Sequence, residues 1–153
     1  MDYCRPSWDD YFLELTQVVA KRSTCLRRHV GALLVKDERI IATGYNGAPQ
    51  GLRHCLEAGC LREEKGIPSG VRYELCRGVH AEQNAIINAA RYGVSTLDSV
   101  LYCTDQPCIL CARMLINAGI KKVIHQGDFR DEVALQFLEE AGIEVVKVPF
   151  QSR

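Results

Sequence analysis

The chain has 153 residues, enough for one domain (1–153) with a proper buried core and no covalent staples. Lys+Arg 19 and Asp+Glu 19 cancel to a formal net charge of +0, which speaks against the broad basic face that duplex or tRNA binding needs. The opening residues are polar and acidic rather than leader-like, and no apolar run reaches membrane-spanning length, so no membrane partner and a cytoplasmic location are expected.

Ser7 followed by Asp10 reads as a capping-box start, and Phe12, Leu15, Val18 and Val19 supply a helical apolar face ending near 21–23. Two β-rich runs follow, 30–35 and 39–45, joined through Lys36, Asp37 and Glu38 in a tight hairpin. Asn46-Gly47-Ala48-Pro49 ends the second run and opens a long irregular loop reaching about Arg77. Residues 79–92 are helical in pattern, with Gly93 as the stop. A buried strand is expected over 99–104. Pro107 suits the first turn of a helix running to Asn117 and closed by Gly119. Lys122–His125 is a strand, 132–141 a helix ending at Gly142, and 144–148 the last strand. Strands alternating with helices in the second half imply parallel pairing, with helices on both faces of one sheet. The fold class is therefore α/β, a three-layer α/β/α arrangement.

Two motifs carry the chemistry. His80-Ala81-Glu82 and Pro107-Cys108-Ile109-Leu110-Cys111 read as H-x-E and P-C-x-x-C, the nucleobase-deaminase signature. His80, Cys108 and Cys111 can hold one zinc, and Glu82 stays off the metal, free to move protons. Three protein ligands leave a coordination position for water, whereas structural sites close with four. Both ligand-bearing segments fall at helix starts, where free N–H groups and the helix dipole favour thiolates. Cys108 and Cys111 lie one turn apart on one face, so both sulfurs reach one ion. A structural zinc module is the competing reading, but it has no use for Glu82.

On these residues the chain resembles the cytidine/deoxycytidylate deaminase superfamily, and within it the bacterial and phage deoxycytidylate deaminases. The resemblance runs through Lys21-Arg22-Ser23-Thr24-Cys25, Gly44-Tyr45-Asn46-Gly47 and His80–Ile86. It continues through Pro107–Cys111 and Ile116-Asn117-Ala118-Gly119-Ile120-Lys121. It implies a cytidine-deaminase-like fold with a five-stranded mixed sheet, and conversion of dCMP to dUMP and ammonia, supplying thymidylate synthesis. Carried over to this sequence, Asn46 binds the sugar and the Ala81 N–H holds the pyrimidine carbonyl. Glu82 serves N3, Thr104 joins the substrate-binding set, and Arg27 and Arg28, before the first strand, are the phosphate candidates. Asp105 stands where the resemblance implies a neutral or basic residue. A carboxylate beside a phosphate is unfavourable unless it points away or pairs with an arginine. The resemblance also implies a hexamer regulated by dCTP and dTTP, with Mg2+ accompanying the effector and Arg91 as a candidate effector residue.

Eight cysteines in a chain expected in a reducing compartment point to metal rather than disulfides. Cys103 reads as a small core hydrophobe, and Cys4 has no evident partner. Cys25, Cys55, Cys60 and Cys76 bracket the long loop, where four thiolates would close a second, structural zinc, with His54 able to replace one ligand. Such a second zinc is also implied by the resemblance. Other enzymatic readings are deamination of cytidine, guanine or a riboflavin precursor. A nucleic-acid deaminase is disfavoured by the neutral balance and the lack of an aromatic-basic patch, and a DNA-uptake-associated protein that kept the fold is a non-catalytic alternative.

Overall fold

The computed structural model describes residues 3–150. Helix α1 (Trp8–Ala20) begins at Ser7, whose side chain accepts the Asp10 backbone N–H at 3.1 Å, the expected cap. Strands β1 (Gly31–Lys36) and β2 (Arg39–Tyr45) form the expected hairpin. Its two-residue turn is left-handed at both Asp37 (φ 51) and Glu38 (φ 60), the twist that antiparallel strands favour. Helix α2 (Cys55–Ala58), helix α3 (Leu61–Glu64) and a 3-10 turn (Tyr73–Leu75) then lie within the stretch expected to be irregular. Four-residue helices are too short to show periodicity, so the sequence hides them.

The second half follows as α4 (Ala81–Arg91), β3 (Val100–Cys103), α5 (Ile109–Asn117), β4 (Lys122–His125), α6 (Glu132–Glu140) and β5 (Glu144–Lys147). Most element ends move by a residue or two from expectation, and two of these shifts lie at the site. Val79 is outside α4 because it bridges Gly47, donating and accepting backbone bonds of 2.8 and 3.1 Å. Pro107 precedes α5, which is capped by Cys108, so the proline aims the chain into the helix rather than occupying its first turn.

The five strands form one sheet in the order β2-β1-β3-β4-β5. Strands β3, β4 and β5 pair in parallel, and β1 runs antiparallel to both β2 and β3, giving the mixed sheet expected. One face packs on α1 through Phe12, Leu13, Leu33, Val35, Tyr102 and Ile124. The other packs on α4, α5 and α6, with Ala85, Leu101, Leu115, Val123 and Leu138 fully buried. The result is three layers. Gly44 permits the closest helix approach near the site: a methyl group there would stand 2.2 Å from the Ala81 carbonyl oxygen. Among the described residues, no helix is long and apolar enough to cross a membrane.

Candidate active site

The site lies where α4 and α5 begin. His80 and Cys108 are the N-cap residues of these helices, so the backbone turns helical at the ligands themselves. His80 donates its backbone N–H to Gln83 Oε1 at 3.0 Å, half of a capping box that fixes its entry into α4.

His80 Nδ1 stands 3.5 Å from Cys108 Sγ and 3.3 Å from Cys111 Sγ. Ideal tetrahedral zinc, with bonds of about 2.3 Å to sulfur and 2.0–2.1 Å to nitrogen, places such donors about 3.5 Å apart. The donor set therefore fits zinc in both chemistry and spacing. Among the described residues these three form the one group whose ligand atoms all lie within 4.8 Å of one another. Hydrogen bonding from Cys111 and then His80 holds the Cys108 thiol well below its ordinary range, while that same hydrogen bond, followed by burial, pushes Cys111 up, so the pair shares one thiolate charge centred on Cys108. Burial opposes charge on His80, but the Cys108 hydrogen bond and the Glu82 carboxylate together raise its pKa above the ordinary value.

Glu82 is buried, 3.6 Å from Cys111 Sγ. Desolvation pushes its carboxyl above the usual carboxylate range, against the partial pull of His80. A carboxylate so placed is suited to take and return protons near neutral pH.

A cavity opens in front of this set. His80, Ala81, Glu82 and Cys108 line its inner end, with Asn46, Gly47 and Val79 on one side. The Ala81 N–H is in the first turn of α4, where no intrahelical carbonyl reaches it. Asn46 uses one donor and one acceptor within the chain: Nδ2 donates to Arg28 O at 2.8 Å and Oδ1 accepts Val30 N–H at 2.9 Å. One amide hydrogen and one lone pair remain for a ligand.

Arg27 and Arg28 both line the cavity, with different commitments. Arg27 donates to Ile67 O at 2.7 Å and pairs with Glu63 at 3.5 Å, while its Nη1 is buried without a partner. Arg28 pairs with Asp105 at 3.8 Å and lies 5.2 Å over the Phe129 ring. Asp105 thus meets the condition set for it by sequence, an arginine partner. Thr104 is not among the lining residues. Its hydroxyl accepts the Gly31 N–H at 3.2 Å just past the end of β3, and the residue is buried. His54 faces Thr24, at 3.0 Å from its hydroxyl. Arg91 donates to Gln50 at 3.1 Å on the outer end of α4, away from the cavity.

Sequence reasoning missed three lining residues. Arg62, 7 % exposed, donates to Pro68 O at 3.0 Å and leaves Nε without a partner. Its guanidinium sits 5.2 Å over the Tyr73 ring, and that ring stands edge-on to His80 at 5.1 Å. Burial, then the nearby Cys108, pushes the Tyr73 hydroxyl up to about 12, so it stays protonated. Phe129 meets Tyr73 edge-on at 6.4 Å. All three sit in segments without periodic pattern, so only their residue types could have hinted at them.

Of the four further cysteines, Cys25, Cys55 and Cys76 line the same cavity and Cys60 is buried nearby. Burial raises the Cys55 thiol pKa, and Cys25, Cys76 and Cys60 add to the effect. No three of these sulfurs lie within 4.8 Å of one another among the described residues.

Comparison with known proteins agrees with this geometry. Residues 6–126 match the family model of the cytidine and deoxycytidylate deaminase zinc-binding region. A deoxycytidylate deaminase of Schizosaccharomyces pombe is 40% identical over 142 residues, 92% of this chain and 44% of that protein. ComE operon protein 2 of Bacillus subtilis is 40% identical over 145 residues, 94% of this chain and 72% of that one. The chain thus spans less than half the length of the fission-yeast relative. The crystal structure of dCMP deaminase from the cyanophage S-TIM5 in complex with dCMP and dUMP superposes with a TM-score of 0.79 at 31% identity, covering 95% of this chain and 100% of that one. With its H-x-E and P-C-x-x-C residues gathered at two helix starts, the chain belongs to the cytidine and deoxycytidylate deaminase zinc-binding family.

Proposed function

We propose that this chain, acting as one domain, hydrolyses dCMP to dUMP and ammonia. The observation that carries the reading is the buried Glu82, uncoordinated and beside a three-ligand set that leaves one zinc position open. Zinc, when bound by His80, Cys108 and Cys111, supplies a water acidified enough to yield hydroxide near neutral pH. Glu82 takes the proton, delivers it to ring N3, and later protonates the departing amine. The Ala81 N–H holds the pyrimidine carbonyl, and Asn46 offers its remaining amide hydrogen and lone pair to the sugar. Arg27, Arg28 and Arg62, three guanidiniums lining the cavity, support a phosphate-bearing substrate.

Finer parts of the reading follow. Cys25, Cys55, Cys60 and Cys76 are assigned as the ligands of a second zinc. Arg27 and Gly78 support this by donating backbone N–H groups to Cys25 and Cys76 Sγ at 3.4 Å each, bonds that favour thiolates. The exposed apolar side chains of Ile87, Tyr92, Val94 and Leu97 suit a hexamer, and Arg91 suits a dCTP or dTTP effector with Mg2+. The enzyme works in the cytoplasm.

The test is ammonia release from dCMP, CMP, deoxycytidine, dCTP and guanine by zinc-loaded protein, with and without added dCTP. We expect dCMP to be fastest. Equal rates on deoxycytidine and dCMP would remove the phosphate from the reading. Zinc-loaded protein that releases ammonia from none of them would overturn deamination and leave a zinc-fold protein without this activity.

A further inference from the structure

Apart from Glu82, Asp105 is the single carboxylate among the described residues lining the cavity, and three guanidiniums line it too. Its placement is built from three segments. Arg28, ahead of β1, stands with Nε 3.8 Å from Asp105 Oδ2. Phe129, in the β4–α6 loop, lies under the same guanidinium at 5.2 Å. Gly127, in that loop, leaves the space the carboxylate fills: a methyl group at 127 would stand 1.8 Å from Asp105 Oδ1. The Gly127 N–H donates to Thr104 O at 2.7 Å, which locks the two loops together. The Asp105 side chain is only 17% exposed, so its charge is felt within the cavity more than through bulk water.

We infer that Asp105 limits the length of the substrate's phosphate chain. The inference rests on the proposed deamination of a nucleoside monophosphate. A monophosphate draws on the Arg27 and Arg62 guanidiniums, which line the cavity away from any carboxylate of its wall. A second phosphate has to settle against the remaining wall, where Arg28 is already neutralised and a fixed carboxylate repels it. The ion pair therefore has two halves of opposite consequence. Asp105 penalises added negative charge, and Arg28 softens that penalty.

This makes the test one of sign. Asp105→Asn keeps the side chain's shape, removes the charge and frees Arg28 for an anion. It should shift the ratio of kcat/KM for dCMP over dCDP toward the diphosphate by about tenfold, which is the size of one partly screened charge contact. Arg28→Gln leaves Asp105 unneutralised and should shift the same ratio the other way. The diphosphate is used so that a triphosphate effector response does not intrude. Binding of dUMP and dUDP by calorimetry reads the same ratio without turnover and should follow the same signs. General loosening of the loops would move both variants in one direction, and that result, or an unchanged ratio in both, overturns the assignment. Loss of all nucleotide binding by the unsubstituted zinc-loaded protein is a different outcome: it removes the substrate reading itself, and this inference with it.

Discussion

The Asp131 carboxylate caps the zinc-binding helix from outside: its Oδ2 accepts the Ile109 backbone N–H at 2.9 Å. Its Oδ1 accepts the Ala134 N–H at 3.0 Å, so one side chain satisfies orphan donors of α5 and α6 together. Gln106, itself buried, donates to the Asp131 carbonyl at 3.0 Å and ties the loop before Cys108 to the same point. The position of the two thiolates is thereby set by a residue that lies 20 positions after Cys111 in sequence.

Asp131→Ala should lose both caps and destabilise the fold by about 2 kcal/mol. It should also weaken zinc binding by about tenfold, as outer supports of metal ligands usually do. Chelator competition and thermal melts measure the two effects. Unaltered zinc affinity alongside lowered stability would confine Asp131 to a structural role.

Glu82→Gln should lower turnover by about a thousandfold while zinc stays bound. The metal-free variant should also be more stable than its parent at neutral pH. Burial raises the Glu82 pKa, so the folded state holds the proton more tightly than the unfolded chain does. Ionisation therefore costs the parent stability as pH rises above the ordinary glutamate range, and costs nothing below it. The stability gap between the two proteins should open with rising pH, reaching about 1–2 kcal/mol. Denaturant midpoints across pH test this; a gap that widened on acidification would contradict the sign.

What was legible in the sequence follows from spacing along the chain. His80, Glu82, Cys108 and Cys111 were readable as two short motifs, H-x-E and P-C-x-x-C, and for the cysteines i and i+3 spacing puts both on one helix face. The hairpin at Asp37-Glu38 and the cap at Ser7 were readable for the same local reason. Strand order was not, because pairing β1 with β3 is decided by packing between distant segments. Arg62, Tyr73 and Phe129 were hidden because their segments hold four-residue helices, a 3-10 turn and a loop, none long enough to display a period. Thr104, which the resemblance put in the substrate-binding set, has its hydroxyl engaged by the Gly31 N–H, a contact between distant segments that spacing along the chain does not reveal.

Cys55→Ser should halve the metal content of the purified protein, from two zinc ions per chain to one, with the His80 site still filled. Elemental analysis against protein concentration gives the count. Zinc per chain identical to the parent would dispose of a second site.

His125 should give the fold an acid-sensitive limb. It is 5 % exposed, and its Nδ1 has no partner. Burial lowers its pKa below the ordinary histidine value, with Lys147 assisting. The folded state therefore favours neutral imidazole. The stability this gives is present above the ordinary range and lost as pH falls through it toward the folded value. His125→Leu should flatten the dependence of urea midpoints between about pH 7 and 5, and parallel slopes in both proteins would exclude it.

Gly44 is where the sheet and the catalytic helix approach most closely, and the prediction there separates collision from conformational strain. A methyl group at 44 would lie 2.2 Å from Ala81 O and 2.4 Å from Ala85 N, both backbone atoms that cannot swing aside. Gly44→Ala should therefore push α4 off β2, displace His80 with it, and cost about 3 kcal/mol as well as zinc affinity. Gly93→Ala is the contrasting case. Gly93 has φ 70 with nothing within 4 Å of an added methyl, so only left-handed strain is felt, about 1–2 kcal/mol. Its zinc affinity should match the parent's, because Gly93 lies beyond the far end of α4 from His80. Equal loss of metal binding in both variants would show that general instability, and not the spacing between β2 and α4, governs the site.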